Sequence, residues 1–181
     1  KAIEGLVLSD NYIWCMRKLM HFLFFSLWLS SSGMAQYIPK FDLQGHRGAR
    51  GLMPENSIPA FVSALNWGVT TIEMDVAVTK DQKIIVSHEP WMSPEICLKP
   101  DGSEIPPSAN PTQWINIYQL TYDQIQAYDC GTKLHPRFPE QQKMAVTKPL
   151  LRDVIAAVED HIKSYTQYEV DYNIEIKSMP E

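Results

Sequence analysis

The sequence predicts an α/β protein in which strands alternate with helices and the strands form a parallel sheet. Three observations lead to this class. A short strand at residues 41–46 runs into a glycine turn and is followed by a helix that begins near Ser57. An alternating strand candidate spans residues 69–78. Farther along, an amphipathic helix at residues 148–165 precedes a last strand at 173–177.

The first helix is indicated by a start signal, an apolar face and a stop. Asn56 or Ser57 can cap the free backbone N–H groups of its first turn. Gly68 stands where the helix is expected to end. The apolar residues that recur at helical spacing on one face are Ile58, Phe61, Val62 and Leu65.

The strand candidate at residues 69–78 alternates between two faces. Its apolar residues share one side, while Glu73 and Asp75 share the other. A turn-like break at residues 79–82 separates it from a third strand candidate at 83–88. Helical and extended segments in this order predict that the strands pair in parallel.

Residues 89–147 differ in composition from the rest of the chain, because they are rich in proline and contain scattered aromatic residues. We interpret them as an inserted, loop-rich subdomain with one short helix near residues 121–128. The helix that follows, at 148–165, carries a single apolar stripe and therefore packs one face against the sheet.

Residues 16–35 have the three-part order of a secretory signal peptide: a basic start, an apolar run and small residues that end at Ala35. The apolar run is shorter than the ~20 residues of a membrane span, so no stable span is expected after cleavage. A buried helix or a single anchor is the alternative. The protein is thus expected to be exported, to the periplasm or beyond, and residues 1–15 are interpreted as upstream sequence.

Export changes the expected state of the cysteines. Cys97 and Cys130 are the two that follow the leader, and an even pair in an exported protein can form a disulfide. Two unpaired thiols are the alternative.

The net charge of −5 argues against a nucleic-acid partner, because proteins that bind nucleic acid usually have a basic surface.

Polar residues stand near the ends of several predicted strands. Glu73 and Asp75 lie two apart and face one way, and Glu175 repeats the arrangement on the last strand. Because the C-terminal ends of strands in a parallel barrel meet at one mouth, these carboxylates are expected to converge. Converging carboxylates and oxygen ligands suit a hard divalent cation, Mg²⁺ or Ca²⁺.

Histidines and cations complete the predicted site. His46 and His88 each close a strand candidate, and imidazole titrates near neutral pH, which suits proton transfer. Arg47 and Lys177 would supply positive charge for an anionic substrate. A metal, bases and cationic groups together fit phosphoryl transfer or phosphodiester cleavage.

The same residues carry a family resemblance. GHRGARGLMPENSIPAFVSALNWGVTTIEMDVAVTKDQKIIVSHE at residues 45–89 resembles the opening of the glycerophosphodiester phosphodiesterase family. The resemblance continues at LTYDQIQAYDCG (120–131), KPLLRDVI (148–155) and NIEIK (173–177). It implies a TIM barrel with a small insertion after the third strand, and it makes residues 36–181 the N-terminal portion of that domain.

The resemblance also implies roles for individual residues and a reaction. The reaction is hydrolysis of a glycerophosphodiester to glycerol 3-phosphate and an alcohol, with a divalent metal as cofactor. Sequence leaves open which histidine is the acid and whether water or a glycerol hydroxyl attacks. The implied roles are acid–base catalysis for His46 and His88, metal binding for Glu73, Asp75 and Glu175, and phosphate binding for Arg47 and Lys177.

Two alternatives share part of this pattern. A related barrel phospholipase acting on lipid headgroups would use the same kind of metal site and the same acid–base histidines. A non-catalytic exported relative would bind a ligand only.

A TIM barrel typically needs ~250 residues, so the 181-residue chain is expected to hold about half of one. Such a half alone would expose strand edges and is expected to be poorly soluble and nearly inactive.

Overall fold

A computed structural model gives the fold of the protein. It describes Trp14 and residues 17–21, 41–165 and 168–179. The chain divides into two compact units, residues 1–40 and 41–181.

In the first unit, Trp14 and residues 17–21 have helical backbone. The signal peptide predicted at residues 16–35 lies mostly outside the described residues. Within the part of the chain that the structure describes, every helix is too short or too polar to cross a membrane.

The second unit is built on a mixed sheet of four strands, with β2 (Thr71–Val78) at its centre. β1 (Gln44–His46) pairs in parallel with the first residues of β2. β4 (Asp171–Ile176) pairs in parallel with β2 along its opposite edge. β3 (Ile84–Val86) lies antiparallel to the C-terminal end of β2.

The direction of β3 corrects the prediction that all strands run in parallel. The connection at residues 79–82 is too short for a parallel crossover, which needs a dozen residues or more, so the chain folds back as a hairpin. Within the turn, Thr79 Oγ1 donates to Asp81 and accepts from the Lys83 backbone N–H. The third parallel strand is therefore β4, and the insertion follows β3, the third strand in chain order, as predicted.

Two helices cover one face of the sheet. α1 (Ile58–Asn66) begins after Ser57, whose hydroxyl accepts a hydrogen bond from the Ala60 backbone N–H at 3.3 Å, so Ser57 is the cap. α3 (Leu151–Tyr165) packs beside it. The core that these helices form with β2 and β3 comprises Phe61, Ala64, Leu65, Val69, Ile72, Met74, Val86, Val154 and Val158.

The insertion has a core of its own, although it contains little regular structure. Two 3₁₀ turns, at Pro111–Gln113 and Ile117–Gln119, precede the short helix α2 (Tyr122–Ile125). Cys97 and Cys130 form a disulfide inside this core. The buried residues that join the insertion to the hairpin and to Leu150 are Ala77, Ile85, Met92, Ile96, Cys97, Ile105, Ile117, Ile125, Cys130 and Leu150.

Removing the disulfide is expected to destabilise the protein. The bridge joins residues 33 positions apart, and cross-links of this span contribute about 2–4 kcal/mol by restricting the unfolded chain. Denaturant unfolding of a Cys97→Ala/Cys130→Ala variant, with Cys15 replaced by serine in both proteins, should show a loss of this size. An unchanged unfolding midpoint would contradict the stabilising role of the bridge.

Candidate active site

Three carboxylates converge at the centre of the sheet. Glu73 and Asp75 lie two apart on β2 and share a face, as the alternation predicted, and both are buried. Glu175 on β4 is the direct cross-strand partner of Asp75. One oxygen from each of the three lies within 4.8 Å of the others. Carboxylates this close repel one another unless positive charge lies between them.

Lysine and arginine side chains supply part of that positive charge. Lys177 follows β4, and its Nζ lies 3.2 Å from Asp75 Oδ1 and 2.6 Å from Glu175 Oε1. Arg47 Nε lies 3.4 Å from Asp75 Oδ2. Because the donor set consists of carboxylate oxygens, it fits a hard divalent cation such as Mg²⁺ or Ca²⁺. Glu73, Asp75 and Glu175 are the residues that could hold it.

The loop after β1 brings Arg47 to the carboxylates through a backbone conformation that few residues adopt. Arg47 has a φ of 54°, and its backbone N–H donates to Glu73 Oε2 at 2.6 Å. Gly48 follows with a φ of 77°, and a Cβ there would lie 2.6 Å from the Ala60 carbonyl carbon. Left-handed backbone at a non-glycine residue costs energy, and such strained residues cluster at functional sites. The conformation of Arg47 therefore supports a functional role for this loop.

Asn56 orients the central carboxylate, a role that the sequence did not reveal. Its side-chain amide donates to Asp75 Oδ2 at 3.0 Å, and its oxygen accepts from the Asp75 backbone N–H at 3.3 Å. Asn56 also has a φ of 54°, which asparagine tolerates better than most residues. Of the two predicted capping residues, Ser57 caps α1 and Asn56 faces the site.

Glu55 is a second feature that sequence patterns did not identify. It is buried and accepts a hydrogen bond from Arg47 Nη1 at 2.8 Å. His135 of the insertion places Nε2 3.8 Å from Glu55 Oε2, and Arg50 lies 3.9 Å from the same oxygen. Burial lowers the pKa of His135, while the carboxylate of Glu55 opposes that shift. Glu55 thus ties the Arg47 loop to the insertion.

The two predicted histidines both lie at the site, in different surroundings. His46 ends β1, and its Nε2 lies 3.9 Å from Glu73 Oε2 with half of the side chain exposed. His88 stands two residues beyond β3, and its Nδ1 lies 2.7 Å from Glu89 Oε1. His88 and Asn56 line the same small pocket, and Asn56 in turn donates a hydrogen bond to Asp75.

Arg47 and Lys177 were predicted to bind phosphate, and the structure gives both of them carboxylate partners. Arg47 is buried between Glu55 and Asp75. Lys177 bridges Asp75 and Glu175. Both cations are therefore part of the charge balance of the carboxylate cluster.

Three parallel strands, β1, β2 and β4, that are covered by helices on one face and carry a cluster of acidic side chains beside a histidine are typical of an α/β domain of the TIM-barrel type. Residues 46–181 match the Glycerophosphoryl diester phosphodiesterase family, and the chain belongs to that family.

Individual relatives agree with this family. The chain is 26% identical over 125 residues to the Glycerophosphodiester phosphodiesterase of Bacillus subtilis, covering 67% of the chain and 38% of that protein. A solved structure from Silicibacter pomeroyi, assigned to the glycerophosphoryl diester phosphodiesterases, has a TM-score of 0.63 and 25% identity over 77% of this chain and 47% of that one.

A further solved structure shares the fold at lower identity. It is an Oleispira antarctica phosphodiesterase in complex with the product sn-glycerol-3-phosphate, with a TM-score of 0.53 and 20% identity over 76% of this chain and 44% of that one. The chain spans less than half the length of each of these three proteins.

Proposed function

We propose that the protein hydrolyses glycerophosphodiesters to glycerol 3-phosphate and an alcohol. The observation that carries this proposal is the convergence of Glu73, Asp75 and Glu175 beside His46 in a chain of the glycerophosphodiester phosphodiesterase family. The Oleispira relative in complex with sn-glycerol-3-phosphate supports a substrate of this class.

The three carboxylates would hold the divalent metal. When bound, such an ion polarises phosphoryl oxygens and stabilises the charge that develops on them. Asn56 supports the ligand set, because its two hydrogen bonds fix the orientation of the Asp75 carboxylate. Arg47 and Lys177 limit repulsion among the carboxylates when no ion is bound.

The histidines would carry protons during the reaction. One of His46 and His88 would take a proton from the attacking hydroxyl, and the other would give one to the departing alcohol. Glu89 lies 2.7 Å from Nδ1 of His88, so it orients that ring and favours a proton on Nδ1. Nε2 of His88 is then the nitrogen left for proton transfer.

We also propose that the protein is exported, to the periplasm or beyond. The order of charges and apolar residues in 16–35 supports this, and so does the disulfide between Cys97 and Cys130, since disulfides persist in oxidising compartments.

Removal of divalent metal is expected to abolish hydrolysis of glycerophosphocholine by the intact protein. Loss of activity in a chelator, restored by adding Mg²⁺ or Ca²⁺, is the expected result, because Glu73, Asp75 and Glu175 would otherwise repel the substrate phosphate. Release of glycerol 3-phosphate is the quantity measured. Full activity in the chelator would exclude the metal-dependent mechanism.

A comparison of two substrates separates the alternatives, with release of choline or phosphocholine as the quantity measured for both. Faster cleavage of phosphatidylcholine than of glycerophosphocholine would indicate a barrel phospholipase. Saturable binding of glycerophosphocholine without release of glycerol 3-phosphate, with Mg²⁺ or Ca²⁺ present, would indicate a ligand-binding relative.

A further inference from the structure

The insertion holds the loop between β1 and α1 through its segment at residues 135–142. Gln141 Nε2 donates to the backbone carbonyl oxygens of Arg50 and Met53, at 2.7 and 3.0 Å. The loop has left-handed backbone at Arg47, and strain of this kind persists only where surrounding contacts enforce it. The insertion therefore supplies contacts that keep this strained loop in place.

His135 begins the segment and presents one ring nitrogen to the loop. It is 2% exposed, and its ring centroid lies 4.7 Å from that of Phe138. Its Nδ1 accepts a hydrogen bond from the Arg137 backbone N–H at 3.1 Å, so in the neutral ring the proton is on Nε2. Burial lowers the pKa of His135, which favours this neutral form. The protonated Nε2 lies 3.8 Å from Glu55 Oε2.

Glu55 divides its two carboxylate oxygens between the loop and the insertion. Oε1 accepts a hydrogen bond from Arg47 Nη1 at 2.8 Å. Oε2 is buried and, within the residues that the structure describes, accepts no hydrogen bond; His135 Nε2 and Arg50 Nη1 lie 3.8 and 3.9 Å from it. A buried carboxylate oxygen without a donor is costly, so the N–H of His135 stabilises the orientation in which Glu55 binds Arg47.

Arg47 in turn contacts two of the three carboxylates that would hold the metal. Its backbone N–H donates to Glu73 Oε2 at 2.6 Å, and its Nε lies 3.4 Å from Asp75 Oδ2. Partners that orient ligand side chains in this way affect metal affinity without touching the ion. A displacement of Glu55 would therefore reach the metal ligands through Arg47.

We propose that His135 is a positioning residue of the metal site. It holds Glu55, which holds Arg47, and it thereby affects how two of the carboxylates present their oxygens. The inference rests on the metal site of the proposed function and adds to it a residue of the insertion.

Replacing His135 with leucine and with glutamine tests the proposal. Leucine removes the N–H donor, whereas glutamine keeps an amide N–H at a similar distance from the backbone. The dissociation constant for Mg²⁺ or Ca²⁺, measured by calorimetry on the intact protein, should rise about tenfold in His135→Leu and stay within about threefold of the wild type in His135→Gln. Both variants lose the ring that packs beside Phe138, so a merely structural role would affect both alike.

His161→Leu is the control, because it makes the same substitution on α3, outside the insertion, and should leave the metal affinity unchanged. Wild-type metal affinity in folded His135→Leu, or an equal loss in the leucine and glutamine variants, would overturn the proposal. Absence of Mg²⁺ and Ca²⁺ binding by the wild-type protein would overturn it as well.

If His135→Leu does not fold, the wild-type protein supplies the test. The nitrogen-15 NMR signal of His135 Nε2 should show a bound proton and should shift on saturation with the metal, and an unmoved signal would overturn the proposal. Wild-type protein that binds the metal in this His135-dependent way but never cleaves glycerophosphodiesters would refute the proposed function and leave the positioning role intact.

Discussion

Asp75→Asn is expected to lower the affinity of the site for Mg²⁺ or Ca²⁺ by at least ~100-fold and to reduce glycerophosphodiester hydrolysis at least as much. Asp75 is the centre of the carboxylate cluster: it is 1% exposed and contacts Arg47, Asn56 and Lys177. An amide keeps the shape of the side chain but loses one negative charge and one ligand oxygen. Calorimetric titration with each metal measures the first effect, and release of glycerol 3-phosphate measures the second.

The variant should also be less stable, because Arg47 and Lys177 each lose one carboxylate partner in a buried setting. Each keeps another partner, Glu55 for Arg47 and Glu175 for Lys177, so the protein is expected to remain folded. Asp160→Asn provides the matched control, since it makes the same charge change at an exposed position of α3. Native metal affinity in Asp75→Asn would refute the role of Asp75 as a ligand.

Replacing either histidine with alanine should reduce the hydrolysis rate by ~100-fold or more, which is the usual contribution of a general acid or base. His46 lies beside Glu73, and His88 is oriented by Glu89. The two variants should retain the metal affinity of the wild type, because neither imidazole belongs to the carboxylate cluster. Turnover of glycerophosphocholine under saturating metal is the measurement.

His161→Ala is the control for both histidine variants. His161 lies on α3, where its Nε2 lies 2.9 Å from the side-chain oxygen of Asn66, and among the described residues its ring stacks near Tyr165, away from the candidate site. Its replacement should leave turnover unchanged. Near-native rates in both His46→Ala and His88→Ala would show that proton transfer is done by other groups.

Much of the fold could be predicted because it follows from local periodicity. The period-2 alternation of β2 placed Glu73 and Asp75 on one face, and the structure has them there. The apolar stripe at residues 148–165 predicted a helix, and α3 lies there, beginning at Leu151. The direction of β3 was predicted wrongly, because strand signals were weighed without the length of the connection before them.

The pairing of charged side chains could not be predicted, because it depends on how distant segments meet. His135 belongs to the insertion, which has no periodicity, and Lys148 stands at the start of the segment predicted to be helical, yet the structure brings both to the vicinity of Glu55. Phosphate binding by Arg47 stays a prediction, but the pairing of its guanidinium with Glu55 and Asp75 could not be predicted. Residue type predicted that a cation lies near the site, but the carboxylates with which it pairs depend on the tertiary fold.

The cross-strand match of Asp75 with Glu175 has a consequence for folding fidelity. Charged side chains of the site lie on both strands of this pair, since Asp75 on β2 stands opposite Glu175 on β4 and Lys177 contacts both carboxylates. A slip of one residue would bring an isoleucine opposite Asp75 and carry Lys177 about 3.3 Å away from it. The charged residues of the site therefore also select the correct strand alignment, and they make an error in that alignment costly.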